Sequence, residues 1–329
     1  MKINFFILLL LSANCMYACS SVIETPVVNS KDTTSIIPVD PSYNIDIKDF
    51  KLRDPFVFVD TLGKCYYVHA NSNDNQSLTV YKSKDLKKWK NLGKSFIASS
   101  EFWGKQDFWA PDMFEFNGKY YIAATFSATG IKRGCSILAS YTPEGPYTPL
   151  INETVTPKGW VCLDATIFID KGQPYLLYSR EWLEVIDGEI YIQKLSQDFK
   201  TTVGEPMLLF RASSAPWVGD ISAKGVTGKV TDSPFLYRVS DTELLMFWSS
   251  FTKSTGKYCI GVAHSSSGSI TGPWVQETAP LNTDDGGHAM VFKTLEGQLK
   301  ISYHSPNSAP NYVTICDLDI FNGKINIVK

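Results

Sequence analysis

The chain has 329 residues, 44% of them hydrophobic and 13% aromatic, and a formal net charge of -2. That is ample for a large core. The near-balanced charge gives no electrostatic reason to expect nucleic acid and suits a neutral or weakly charged ligand better.

Lys2 precedes a short apolar run, residues 3–11, that is too brief to span a bilayer and reads as an export leader. Ala18-Cys19-Ser20-Ser21 then resembles the lipobox of bacterial lipoproteins. We therefore read residues 1–18 as a signal peptide and Cys19 as the lipidated first residue of an exported, outer-membrane protein. From Cys19 to Tyr43 the chain is rich in Ser, Thr, Pro and Asp without periodicity, the composition of a flexible tether. Membrane contact is expected through the lipid anchor only. Beyond Cys15 and Cys19 there are five cysteines, an odd number without metal-ligand spacing, so neither a full disulfide framework nor a cysteine metal site is expected.

From about residue 44 onward one pattern recurs five times. A polar residue opens an apolar strand, a polar or Gly-containing turn follows, and an aromatic-rich strand returns. Asp54-Pro-Phe-Val-Phe leads to Tyr66-Tyr67-Val68-His69, and Asp112-Met-Phe-Glu-Phe leads through Asn117-Gly118 to Tyr120-Tyr121-Ile122. Asp164-Ala-Thr-Ile-Phe leads through Lys171-Gly172 to Tyr175-Leu176-Leu177-Tyr178. Asp232-Ser-Pro-Phe-Leu and His288-Ala-Met-Val-Phe complete the series, at steps of 58, 52, 68 and 56 residues. Each unit continues with an alternating third strand and a short fourth. Four short strands repeated five times predict an all-β, five-bladed β-propeller over 44–329.

The first strand of a propeller blade lines the central axis. Asp54, Asp112, Asp164, Asp232 and His288 are therefore expected to ring one pocket. Singly, an Asp before a strand is a turn or cap residue; four in register with a histidine crowd like charges, which marks a functional cluster. Paired carboxylates without Ser/His or Cys/His partners point to acid/base hydrolysis of an acetal. Carboxylates on opposite blades, at roughly 6.5–9.5 Å, would leave room for a water and give inversion.

Arg53-Asp54-Pro55, Trp109-Ala110-Pro111-Asp112, Leu163-Asp164-Ala165 and Gly287-His288 together resemble glycoside hydrolase family 43, the five-bladed arabinofuranosidases and xylosidases. The resemblance spans about residues 45–329. It implies an inverting enzyme releasing α-L-arabinofuranosyl or β-D-xylosyl units from plant polysaccharides or oligosaccharides. It makes Asp54 the general base and Asp164 the residue that raises and orients the acid. It makes His288 the axial histidine near any bound calcium, an ion that would be structural and not required for chemistry. The family acid is usually Glu in Glu-Gly-Pro, whereas this chain has Asp232-Ser233-Pro234. Three readings stay open: Asp232 is the acid, Glu181 supplies the proton instead, or the chain is a weakly active or purely carbohydrate-binding propeller. A related retaining family acting on fructans would carry Asn-Asp-Pro where this chain has Arg53-Asp54-Pro55.

Further pocket-face candidates are Trp103, Trp109 and Trp182, whose rings could stack on a sugar, and Arg180, which could meet sugar hydroxyls. Each has a plainer reading, core packing for the indoles and a surface ion pair for the arginine. The long step before Asp232 holds an insertion, residues 211–229, expected to shape the site or to be a harmless excursion. A monomer is expected.

Overall fold

The computed structural model describes residues 40–72, 74, 76–321 and 323–328. The signal peptide, Cys19 and the tether up to residue 39 lie outside the described residues. Five antiparallel meanders make a five-bladed propeller. Their inner strands are Phe56–Asp60, Gln106–Phe116, Cys162–Asp170, Asp232–Ser240 and Gly287–Lys293. Within each blade four strands pair in sequence order as successive hairpins, and in the first blade Ile45–Asp46 adds a fifth strand against Lys88–Ile97.

The first hairpin of blades 2 and 3 shows why these turns form. Phe116 pairs with Lys119 across Asn117 and Gly118, and Asp170 pairs with Gln173 across Lys171 and Gly172. Both loop residues have positive φ in each case. A two-residue loop of that hand matches the right-handed twist of the strands it joins.

Aromatic and aliphatic side chains on both faces of each blade fill the spaces between blades. There are five buried clusters among the described residues, one at each junction. Tyr67, Phe96, Phe108 and Phe126 pack blade 1 on blade 2, and Tyr121, Tyr178 and Phe199 pack blade 2 on blade 3. Leu177, Phe210 and Trp248 fill the next junction, Phe247, Ile260 and Tyr303 the one after, and Val57, Trp89 and Phe292 join blade 5 to blade 1. Each fully buried aromatic contributes about 2–3 kcal/mol. Four of the five cysteines after the tether are buried, and the fifth, Cys316, is half-buried.

The ring closes by an antiparallel seam rather than by a shared blade. Leu52 N donates to Asn311 O at 3.0 Å and Val313 N donates to Phe50 O at 2.9 Å. The described helical pieces are one turn at Trp182–Val185 and two 3-10 segments, Ile47–Asp49 and Ala212–Ser214, too short to leave a helical period in the sequence.

Candidate active site

The backbone builds the site through one repeated irregularity. Near the start of each inner strand one residue takes a left-handed conformation: Asp54 (φ 55), Ala110 (φ 45), Asp164 (φ 53), Ser233 (φ 49) and His288 (φ 59). In blades 2 to 5 the strand register slips there, between Trp109 and Asp112, Leu163 and Thr166, Asp232 and Phe235, and Gly287 and Met290. None of the five is glycine, so each costs on the order of 1–3 kcal/mol, and such strain concentrates at functional sites.

This corrects the expected ring at two places. The residue of blade 2 equivalent to Asp54 is Ala110, and that of blade 4 is Ser233. Asp112 lies two residues deeper, buried at 8% exposure, and is not among the residues that line the cavity. Asp232 sits one residue before its blade's turn and still faces the cavity. Asp54, Asp164, Asp232 and His288 therefore share one cavity of about 710 Å³, a size typical of ligand sites.

Side chains from second strands fix the turned residues. Thr125 Oγ1 accepts the Asp164 amide at 2.9 Å, Ser249 Oγ accepts the His288 amide at 2.8 Å, and His304 Nδ1 accepts the Asp54 amide at 3.3 Å. Asp164 Oδ2 accepts the Ser233 amide at 3.1 Å. Since His304 Nδ1 receives that amide hydrogen, its 3.2 Å approach to Asp54 Oδ1 is not an ion pair. Burial lowers the His304 pKa, which agrees with a neutral ring.

The four ionisable groups are driven apart. Burial alone would raise Asp54, but the charges of His288 and then Arg53 outweigh it and hold its carboxyl well below the usual range. Their nitrogens stand 3.1 and 3.5 Å from Oδ1. Burial lowers His288, yet Asp54 and then Asp164 overcome it and raise the ring to about 10. Asp164 is pushed up to about 8, chiefly by burial, with Asp232 and Asp54 adding to it against the opposing charge of His288. Asp232 is raised to about 6 by burial, against a hydrogen bond from Tyr258 and the charge of Arg53. Asp54 is thus held ionised while Asp232 keeps its proton up to about pH 6, the division an acid/base pair needs in weakly acid solution.

The walls sort the remaining candidates. Trp109, Glu181 and Trp182 line the cavity. Arg133 lies over the Trp109 ring at 4.3 Å and donates from Nη1 to Glu181 Oε2 at 2.6 Å. Arg180 and Trp103 lie outside the cavity, contrary to expectation. Arg180 donates to Glu184 at 2.9 Å and covers Trp160 at 4.1 Å, so its guanidinium is already engaged. Trp103 packs on the Phe102–Phe126 cluster and donates Nε1 to Ser136 at 2.9 Å. Part of the insertion folds as a hairpin, Ile221–Ala223 with Val226–Gly228, and Ile221 lines the cavity beside Val230. Lys229 holds its base through backbone bonds to Ile186 and Gly188, each 2.8 Å.

Sequence reasoning missed Arg133, Tyr258, His304, Thr125 and Ser249. A signal existed for two of them: Ser249 and His304 each follow an aromatic residue at the end of a return strand, where a buried apolar run turns polar.

A calcium ion fits these residues poorly as a directly held group. Calcium takes six to eight oxygen ligands, whereas among the described residues no cluster of three or more acidic, His or Cys groups could hold a metal. His288 Nδ1 already faces Asp54, and its positive charge would oppose a cation beside it.

The sequence profile of glycosyl hydrolases family 43 matches residues 43–316. The chain belongs to this family. Among solved structures, this family 43 chain is similar to the endo-arabinase from Bacteroides thetaiotaomicron VPI-5482. The two are 58% identical, with a TM-score of 0.83, over 85% of this chain and 98% of that one. It is 25% identical over 254 residues to the extracellular endo-alpha-(1->5)-L-arabinanase 1 of Bacillus subtilis (strain 168), covering 72% of this chain and 71% of the relative. It is 22% identical over 302 residues to an extracellular exo-alpha-(1->5)-L-arabinofuranosidase of Cellvibrio japonicus (strain Ueda107), covering 81% and 82%.

Proposed function

We propose that this family 43 hydrolase cleaves α-1,5-linked arabinan internally, with inversion at the anomeric carbon. The observation that carries the chemistry is the split across one cavity, where Asp54 is kept ionised and Asp232 is raised to about 6. The substrate reading is supported by the 58% identical endo-arabinase and favours arabinan over the xylosyl alternative. Export and lipidation at Cys19 belong to the same proposal and suit an enzyme whose polymer lies outside the cell.

In the reaction Asp54 takes a proton from water, and the resulting hydroxide bonds to the anomeric carbon from the face opposite the leaving oxygen. The carbon–oxygen bond breaks, and Asp232 gives its proton to that oxygen. Asp164 accepts the Ser233 amide at 3.1 Å and so fixes the backbone next to the acid. His288 keeps Asp54 anionic. Glu181 is the weaker acid candidate, because its Oε2 is already engaged by the Arg133 guanidinium at 2.6 Å.

The test is to digest linear arabinan and follow product size and anomeric configuration by NMR, beside Asp54→Asn. A broad ladder of early oligosaccharides of inverted configuration is expected. Release of arabinose alone would replace the endo reading with an exo one, and a retained anomer would overturn the mechanism.

A further inference from the structure

A second cavity of about 230 Å³ opens where blade 2 meets the segment leading into blade 3, and its lining includes Trp103, Trp160, Arg133, Lys132, Lys158 and Glu153. None of these residues takes part in the chemistry above. We propose that this cavity is an accessory carbohydrate site, which holds a pentose residue of the same neutral polysaccharide chain beyond the cleavage cavity. The inference rests on the arabinan reading for the identity of the sugar, but not for the existence of the site.

Three observations support it. Both indoles are immobilised before any ligand arrives. Trp103 is held by its Nε1 bond to Ser136, and Trp160 packs on Tyr191 at 4.8 Å with Arg180 over its ring at 4.1 Å. Rigid aromatic surface binds at low entropic cost. The cations around them are matched. Lys132 pairs with Glu184 at 2.6 Å, Lys158 with Glu153, and Arg133 with both Asp107 and Glu181. A cavity so neutralised favours an uncharged ligand with hydroxyl groups over an anion. Finally, the two cavities share a wall. Arg133 lines the second while its guanidinium lies on Trp109 and bonds Glu181, which both line the first. A polymer leaving the cleavage cavity over Trp109 therefore meets the second cavity one side chain further out.

Trp160 carries the test, because Trp103 is packed into the blade 2 core. Kinetics of Trp160→Ala and Trp160→Phe would be measured on long linear arabinan and on the trisaccharide. The alanine variant is expected to raise KM on the polymer about fivefold, the effect of one lost aromatic contact. Its kinetics on the trisaccharide should stay within twofold, and phenylalanine should restore most of the polymer KM. Equal losses on both substrates would assign Trp160 a structural role and overturn the proposal, as would no change on either. Electrophoresis in gels containing arabinan, xylan or galactan, comparing Asp54→Asn with Asp54→Asn/Trp160→Ala, separates this inference from the functional reading. If the wild type cleaves no arabinan but the double variant is less retarded in one of the gels, the site stands and the substrate assignment falls. Equal retardation in all three overturns the site.

Discussion

The hydroxyl of Tyr258 donates a 3.0 Å hydrogen bond to Oδ2 of Asp232. The same ring lies stacked on His304 at 5.8 Å, and His304 accepts the Asp54 amide. One buried tyrosine thus ties the proposed acid to the side chain that positions the proposed base. Its bond stabilises the carboxylate form of Asp232 and so restrains the rise that burial causes. Tyr258→Phe removes that restraint. The acid then holds its proton to higher pH, and the alkaline limb of the kcat/KM profile should move up by about half to one unit. An unmoved limb would detach Tyr258 from the acid.

The identity of the acid is read from two neutral substitutions. Asp232→Asn should lower kcat on arabinan by roughly 10²–10⁴-fold, the worth of general acid catalysis. Aryl arabinofuranosides, whose leaving group needs little protonation, should be much less affected. Glu181→Gln breaks the ion pair with Arg133 and should cost less than about tenfold on either substrate. The reverse order would transfer the acid role to Glu181.

Wild-type activity should fall as pH rises through about 6, where Asp232 gives up its proton. No acid-side loss is expected until well below the usual carboxylate range, because Asp54 stays ionised there. A pH–rate profile of kcat/KM checks both limbs.

Stability should decline over a different window. Asp112 is raised from 3.8 to about 7, chiefly by burial against the charge of His288, so the folded state binds a proton that the unfolded chain releases near pH 4. Its contribution is present at low pH and is lost as pH rises from about 4 through 7. Oδ1 of Asp112 has no hydrogen-bond partner. Asp112→Asn should therefore stabilise the fold at pH 8 by on the order of 2–4 kcal/mol relative to wild type and change little at pH 4. Denaturant midpoints at the two pH values measure this, and equal shifts would refute it.

Exhaustive chelation should leave kcat/KM on arabinan within about twofold, since His288 is already held by Asp54 and by Ser249 at its amide. A larger loss, restored by calcium, would show that a cation supports the axial histidine.

The sequence was legible where physics repeats. Alternating strands, paired turn residues such as Asn117-Gly118, and aromatic return strands announced five blades. Asp54, Asp164 and His288 were legible too, because each lies at the same point of its blade. Asp112 and Asp232 were misaligned with them, because the left-handed turn falls on Ala110 and Ser233 and leaves no glycine to mark it. Arg180 and Trp103 were assigned to the cavity by their nearness to strand ends. Their direction was decided by Glu184, Trp160 and Ser136, partners that spacing along the chain does not reveal. Arg133 sits in the third strand of its blade and acts on the cavity only through Trp109 and Glu181, which its guanidinium touches.

The seam at residues 50–52 and 311–313 has a consequence for when the protein becomes active. Asp54 belongs to the first blade to leave the ribosome, yet His288 and His304, which set its charge and hold its amide, arrive in the last. The proposed base therefore acquires its environment only when the final blade docks against the first. A chain that ends before the fifth blade carries Asp54, Asp164 and Asp232 but lacks both histidines that surround the proposed base, so competence is expected only once that blade is in place.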